Sequence, residues 1–110
     1  MPSDFADDAA FRHTVGAVLD SFLEQADEID ADIDPRLTPG SFSITFEDGS
    51  VLMLSQQTPT HELWLSANYT AWHFRCEAGT WKERDTGEDM CAILSTLLTD
   101  KLAHPTTLTL

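Results

Sequence analysis

Short runs of alternating apolar and polar residues fill the middle of the chain, from residue 41 to residue 84, and turn residues separate them. The runs are "SFSITF", "SVLMLSQQ", "HELWLS", "TAWHFRCE" and "TWKER". Asp48-Gly49 is typical of a tight hairpin, Thr58-Pro59 breaks the chain, and Ala78-Gly79 is a further turn. Because the runs start about ten residues apart with no helix between them, they predict an antiparallel sheet.

Two amphipathic helices flank these strands. The first is predicted from about Asp4 to Ile29, because apolar residues recur three and four positions apart and form one stripe. The stripe consists of Phe11, Val15, Val18, Leu19, Phe22, Ala26 and Ile29. The second helix is predicted after an N-cap at Thr86 and ends near His104-Pro105. Its apolar side consists of Met90, Ile93, Leu94, Leu97, Leu98 and Leu102. The tail "TTLTL" is expected to lie back against the domain.

Two such helices can cover only one face of a sheet. The sequence therefore predicts an α+β fold, a two-layer sandwich with two helices packed on one face of an antiparallel sheet of about six strands, in α-β-α order. One domain is expected over residues 1–110. The other sheet face should contact water. By alternation Leu63 and Leu65 point to the helices and Trp64 points to water, which suggests a contact surface.

Residues 24–34, "EQADEIDADID", contain six carboxylates in eleven residues and no cation. On the predicted helix, acids at i, i+4, i+7 and i+8 lie opposite the apolar stripe, and they crowd the C-terminal turn, where the helix dipole disfavours them. The following acids alternate with apolar residues, as on a first strand ended by Pro35. We name the whole set the acidic ridge: Asp20, Glu24, Asp27, Glu28, Asp30, Asp32 and Asp34.

The formal charge of the chain is −13, from 19 acids against 6 Lys and Arg. Bare nucleic acid and anionic membranes would be repelled, which leaves cations or a basic patch on another protein as partners. No apolar run approaches the roughly 18 residues of a membrane span. The N-terminus carries acids where a secretory signal would carry Lys or Arg, and two cysteines do not form a disulfide framework. A cytoplasmic protein is expected.

The sequence does not contain a complete calcium-binding loop. Asp30-x-Asp32-x-Asp34 resembles the start of a calcium loop, but its sixth position is Pro35 instead of Gly and its twelfth is Ser41 instead of Glu.

Transition-metal and catalytic sites are also disfavoured. The candidate ligands are His61, His73, Cys76 and Cys91. Alternation places His73 and Cys76 on opposite sheet faces, and Cys91 lies among apolar residues of a helix, so structural roles are favoured over zinc binding. Neither cysteine has a context that favours a nucleophile, and the acids occupy a convex face instead of a pocket. No enzyme is predicted.

The acidic ridge has three possible roles at this point. It can serve only solubility. It can bind hard cations such as Mg²⁺, Ca²⁺, Mn²⁺ or iron, weakly and at several positions, because an open face supplies few ligands per ion. It can dock on Arg and Lys of a partner in a salt-dependent way. The last two roles compete for the same charges.

Several stretches taken together resemble the frataxin family, in particular its bacterial members. They are "DID", "SFSITFEDGSVLMLSQQTPTHELWLS", "WHF", a Trp-bearing strand and a final helix. The resemblance runs from about Phe11 to Leu98. Its most specific parts are residues 46–50 ("FEDGS"), Gln57-x-Pro59 and Trp64-Leu65.

The resemblance implies a helix–sheet–helix sandwich and a non-enzymatic role in iron–sulfur cluster assembly. The protein would bind iron (Fe²⁺ or Fe³⁺) weakly and dock, as a monomer, on the cysteine desulfurase and the iron–sulfur scaffold protein. The implied iron ligands are Asp20, Glu24, Asp27, Glu28, Asp30, Asp32 and Asp34. The implied partner-binding residues are Trp64, Gln57, Glu24, Asp27 and Glu28. The alternatives are a generic acidic protein-binding module without a physiological metal, and an iron-storage oligomer, for which the sequence offers no dedicated centre.

Two positions depart from the bacterial pattern. Ser55-Gln56-Gln57 stands where Asn-Arg-Gln is frequent, so a cation is expected to be missing from the exposed sheet face. Thr70-Ala71 stands where Gly-Gly is frequent before an aromatic residue, here Trp72, so a stiffer or differently shaped loop is expected.

Overall fold

The structure is a computed structural model that describes residues 5–110. Along the chain lie α1 (Asp8–Asp27), β1 (Ile33–Thr38), β2 (Ser41–Phe46), β3 (Val51–Gln57), β4 (Glu62–Ala67), β5 (Thr70–Glu77), β6 (Thr80–Glu83) and α2 (Met90–Leu102). A short 3₁₀ turn, Thr58–Thr60, joins β3 to β4. The six strands form one antiparallel sheet whose spatial order is the order of the sequence. The predicted α+β sandwich with α-β-α order is confirmed.

One sheet face, the inner face, carries the core. The inner side chains are almost without solvent contact: Phe42, Ile44, Leu52, Leu54, Leu63, Leu65 and Phe74. They pack in a single cluster with apolar residues from both helices. Each fully buried side chain of this size contributes about 1.5–3 kcal/mol relative to an exposed one. The opposite, outer face carries the alternate residues of each strand, including Trp64.

The first helix begins where Asp7 caps it, because the Asp7 carboxylate accepts the N–H of Ala10 at 2.8 Å. The predicted start at Asp4 lies outside the described residues. The apolar stripe is buried from Phe11 to Ala26, and Ile29, just after the helix, is half-buried against the core.

The first strand differs from the prediction. It begins at Ile33, so Asp30 and Asp32 lie in the connection after α1 and only Asp34 lies on the strand. Pro35 does not end the strand; it lies inside β1, opposite Ile44 of β2. An edge strand has one side without a strand partner, and a residue that lacks an N–H is tolerated there.

The second helix also begins later than predicted. Its N-cap is Asp89, whose carboxylate accepts the N–H of Ala92 at 3.0 Å, and Thr86 lies in the preceding turn. That turn is fixed by Glu83, which accepts the N–H groups of Asp85 and Thr86. Both Asp and Thr are good caps, so the turn before the helix decides between them.

The C-terminal tail lies back against the domain, as predicted, and it contacts both helices. Three side chains each bond both main-chain groups of one tail residue: Thr99 with Thr106, Ser95 with Leu108, and Gln25 with Thr109. In each pair the tail N–H donates across 2.9 Å. Leu108 is buried among the core residues. The tail therefore joins α1 to α2 without forming a strand or a helix.

Candidate functional site: the acidic ridge and the outer sheet face

The acidic ridge is exposed along its whole length. Asp20, Glu24 and Asp27 lie on α1, and Glu28 is the C-cap of that helix. The connection to β1 carries two more acids, and Asp34 follows on the outer face of the edge strand. The carboxylates thus form a continuous series from the helix layer to the sheet edge. Their side chains project into water, where they can contact ions or a partner surface.

A cation that the sequence analysis did not include ends this series. The Nε of Arg36 lies 2.9 Å from Oδ2 of Asp34, and both side chains are more than half exposed. The two residues are i and i+2 on one strand, so they share the outer face. An exposed pair of this kind contributes at most about 1 kcal/mol. Asp34 is therefore partly neutralised.

A second cation lies beside Asp30 and Asp32. These two acids line a cavity of about 440 Å³ together with Phe46, Asp48 and Lys101. The Lys101 ammonium donates to the Asp48 carboxylate and lies 5.5 Å from the centre of the Phe46 ring. The hydrogen bonds from Lys101 and then Ser50 lower the pKa of Asp48 well below its usual range. Asp48 is therefore ionised at neutral pH and holds this lysine in place.

No three His, Cys, Asp or Glu side chains of residues 5–110 converge as they would around an enclosed metal ion. His73 and Cys76 point to opposite sheet faces, as predicted. Burial and then the nearby Asp89 raise the pKa of the Cys91 thiol to about 11, so the thiol is protonated at neutral pH. His61 stacks on Phe11 at 4.8 Å and contacts a carboxylate of α1. The surroundings of these side chains are those of structural residues and not those of metal ligands.

The outer sheet face carries the two predicted partner residues of the sheet, Trp64 and Gln57. Trp64 is 37% exposed, and its ring lies 4.4 Å from that of His73, the residue opposite it on β5. Gln57 lies opposite Glu62 on β4. The indole Nε1–H of Trp64 donates to Oε1 of Glu62 across 3.1 Å. Trp64 and Gln57 therefore both adjoin one buried carboxylate.

Glu62 is the central residue of this face, and the sequence analysis did not identify it. It is 1% exposed. Arg84 Nη1 lies 3.3 Å from Oε1 of Glu62, and Arg75 Nη2 lies 3.6 Å from Oε2. Burial tends to raise the pKa of this carboxyl. Hydrogen bonds from Trp64 and Thr60 and the charges of the two arginines outweigh burial, so the pKa is lowered. Glu62 is therefore a buried, ionised anchor that fixes the indole.

A second buried carboxylate, Glu83, secures the end of the sheet. Its side chain accepts the N–H of His73 at 2.9 Å and that of Asp85 at 2.7 Å. Burial again favours the neutral form, but these main-chain hydrogen bonds outweigh it and lower the pKa. Glu83 thereby fixes the turn that carries Arg84 towards Glu62.

The two departures from the bacterial pattern do not have the predicted effects. Gln56 pairs with Leu63, so it occupies an inner-face position and its amide donates to Thr58 Oγ1 at 3.1 Å. A cation at this position would not belong to the outer face. Thr70 and Ala71 are strand residues of β5, and the turn before them is residues 68–69, both with positive φ. The expectation of a stiffer or differently shaped loop at these two residues is therefore wrong, because they lie in the sheet.

Fold and site together define a two-layer α+β protein with two exposed surfaces of different chemistry, a carboxylate ridge and a Trp-bearing sheet face. Residues 4–104 match the family model described as "Frataxin-like domain". The chain therefore belongs to the frataxin-like family.

Curated relatives agree with this assignment. The iron-sulfur cluster assembly protein CyaY of Ralstonia nicotianae is 35% identical over 81 residues, which cover 74% of this chain and 72% of the relative. The protein of the same name from Paraburkholderia phymatum is 29% identical over 98 residues, covering 89% and 93%.

Solved structures share the fold. The frataxin of Psychromonas ingrahamii, of the CyaY family, superposes with a TM-score of 0.87 at 21% identity, covering 94% of this chain and 99% of that one. The trimeric frataxin of the yeast Saccharomyces cerevisiae complexed with ferrous iron gives 0.68 at 19% identity, covering 94% and 93%.

Proposed function

We propose that this protein is a non-enzymatic accessory and regulatory protein of iron–sulfur cluster assembly in the cytoplasm. It binds iron weakly through the acidic ridge and docks on the cysteine desulfurase and the iron–sulfur scaffold protein. The observation that carries the proposal is the continuous exposure of the ridge from α1 to the edge of the sheet. The names of the bacterial relatives support the same process.

The proposed iron sites use exposed carboxylates as hard oxygen donors. Hard donors suit Fe²⁺ and especially Fe³⁺, but they suit other hard cations as well. Since no three candidate ligands converge within residues 5–110, each ion would be held by few carboxylates and would keep most of its water. Binding is then weak, at several positions and poorly selective. The proposed ligands are Asp20, Glu24, Asp27, Glu28, Asp30, Asp32 and Asp34.

The proposed docking surface combines the middle of the ridge with the outer sheet face. Glu24, Asp27 and Glu28 would meet cations of the partner, and Trp64 would supply an apolar anchor with Gln57 beside it. Exposed charges of one sign accelerate association with an oppositely charged surface and make it dependent on salt. Iron and partner then compete for the same carboxylates, which would couple cluster assembly to the iron supply.

The test is binding of the purified cysteine desulfurase of the same organism at low and high salt. The variant is Asp27→Lys with Glu28→Lys. The control is Glu88→Lys with Asp100→Lys, which makes the same charge change at exposed acids outside the ridge and outside the cavity that Asp30 and Asp32 line. We expect wild type and control to bind at low salt and the ridge variant to bind at least about tenfold more weakly, a difference of about 1.4 kcal/mol. Absence of binding by folded wild type, or equal loss in both variants, would refute the docking proposal.

A second candidate is a protein-binding module without a physiological metal, which the lack of a convergent ligand set in the described part of the chain favours. The same assay separates the two candidates. If Fe²⁺, added without oxygen, weakens desulfurase binding by wild type much more than NaCl of equal ionic strength, the iron role is supported. An effect no larger than that of NaCl would favour the module.

A further inference from the structure

A row of polar side chains crosses the outer face from β3 to β6, which is the edge strand opposite to β1. The register places Gln57, Glu62, Arg75 and Lys82 directly beside one another on β3, β4, β5 and β6. Arg84, just after β6, reaches the same carboxylate. Two guanidinium groups therefore share one buried acid, and an ammonium lies next to them.

Half of the six Lys and Arg of the chain lie in this small area. We call Arg75, Lys82 and Arg84 the basic strip. Glu62 offsets one of its three charges. Three exposed acids lie nearby: Asp85, 3.9 Å from the Arg84 Nε, Glu77, one row further along β5, and Asp89, which bridges to Lys82 and caps α2 with its carboxylate. In a chain of charge −13, this area holds three cations beside four acids, whereas the acidic ridge at the other edge has almost no cation.

The guanidinium groups retain donors for a further acceptor. Glu62 is reached by Nη2 of Arg75 and by Nη1 of Arg84, and each guanidinium carries five N–H donors. The side chains are 25% and 35% exposed, so their remaining donors are accessible from solvent. Lys82, exposed on the edge strand, has no ion pair among the described residues. An incoming carboxylate would therefore find several unshared donors.

Apolar surface adjoins the basic strip. Trp64 is held by its bond to Glu62 and by contact with His73, so its ring is presented in a fixed orientation. Met53 and Val51, 41% and 45% exposed, continue this apolar area along β3 on the same face. Preorganised aromatic groups of this kind are typical anchors of protein interfaces.

We propose that the basic strip and Trp64 bind a partner-protein segment that carries carboxylates next to an apolar side chain. The proposal deepens the proposed function, on which it rests for the existence of a protein partner. It assigns the sheet face a charge preference opposite to that of the ridge. An assembly partner that carries both signs of charge would then be oriented by the ridge and the basic strip together.

The test is a titration of the ¹⁵N-labelled full chain with the blocked peptide ELELE, and with KLKLK as its counterpart, followed by NMR. A salt concentration of 0.15 M limits repulsion from the distant ridge to about 8 Å. We expect ELELE to shift the indole N–H of Trp64 and the amides of His73 and Lys82, and KLKLK to shift ridge amides instead.

The variants distinguish binding by the basic strip from an effect of the overall charge of the chain. Lys82→Glu should weaken ELELE binding about fivefold or more, and Lys82→Gln should weaken it less. Arg36→Glu is the matched control, because it makes the same charge change on the same face at the opposite edge strand. Shifts absent from the strip up to the solubility limit, shifts on the ridge, or an equal effect of Arg36→Glu would overturn the proposal.

The peptide result is independent of the desulfurase result. If desulfurase binds through the ridge but ELELE does not bind the strip, this inference fails and the proposed function stands. If wild type does not bind desulfurase but ELELE binds the strip and loses affinity in Lys82→Glu, the proposed docking fails and the sheet-face site stands.

Discussion

Trp64 donates its indole N–H to Glu62 across 3.1 Å, so a residue that is 37% exposed is fixed by one that is 1% exposed. The carboxylate also receives two guanidinium groups, from Arg75 and Arg84. A buried ion group of this kind stabilises only while it is complete, because each partner would be costly alone. The orientation of the exposed indole therefore depends on buried electrostatics.

Replacing Glu62 by Ala should lower the free energy of unfolding by about 1–3 kcal/mol, because the indole and both arginines lose their acceptor. The loss stays below the 3–5 kcal/mol of a fully buried pair, since both arginines reach water. Urea unfolding measures this loss of stability, and the near-ultraviolet circular dichroism band of Trp64 should broaden. Glu62→Gln, which keeps an acceptor, is the control and should lose less. An Ala variant as stable as wild type would contradict the anchoring role.

Acid should destabilise the protein through Glu62 and Glu83. Both have pKa values lowered below the ordinary 4.5, so the unfolded chain binds more protons than the folded one in this range. Their contribution is complete above the ordinary value and is lost as pH falls through the lowered folded-state values. Unfolding free energy should therefore decrease as pH falls below the ordinary value of 4.5 and through the lowered folded-state values. Glu62→Gln should show a shallower decrease, and an identical slope would show that Glu62 does not titrate as described.

The ridge variant Asp27→Lys with Glu28→Lys should fold as well as wild type, or gain up to about 1 kcal/mol. It removes like-charge repulsion and places cations at the C-terminal end of α1, where the helix dipole favours them. Thermal melts followed by circular dichroism, with Glu88→Lys plus Asp100→Lys as the control, would measure the change. A cooperative melt at a distinctly lower temperature would mean that these acids stabilise the fold.

Trp64→Ala should weaken partner binding while costing about 1 kcal/mol of stability, from one hydrogen bond and one ring contact. Trp81→Ala provides the contrast, because Trp81 is 4% exposed on the inner face and its removal should cost about 3–5 kcal/mol. Desulfurase binding and urea unfolding of both variants separate the two effects. A loss of several kcal/mol in Trp64→Ala would place Trp64 in the structural core.

The sheet was predictable because its two signals, the alternation of apolar and polar residues and the turn residues between the runs, are local in the sequence. The run "TAWHFRCE" coincides with β5, and Ala78-Gly79 forms the turn that follows, both residues with positive φ. The exposure of the acidic ridge followed from helical spacing. Start and end points were less predictable: Pro35 lies within its strand since it is on an edge, and Asp89 rather than Thr86 caps α2 since Glu83 holds the turn.

The buried anchor of the outer face was not predictable by the same means. Glu62 meets Arg75 and Arg84, which are 13 and 22 positions away in the chain, and only the strand register brings them together. In an alternating run, a Glu two positions before an outward-facing Trp is itself expected to be exposed. The partial neutralisation of Asp34 by Arg36 could have been predicted, because the two residues lie two positions apart on one strand.

The tail contacts have a consequence for the order of events in folding. Gln25 and Thr109 are 84 positions apart, so their paired hydrogen bonds close a very long loop, and only an assembled helix layer can offset that entropy. The tail should therefore dock last and open first, before the sheet loses any strand. Amide hydrogen exchange at Thr106, Leu108 and Thr109 would then measure local opening of the helix layer separately from global unfolding.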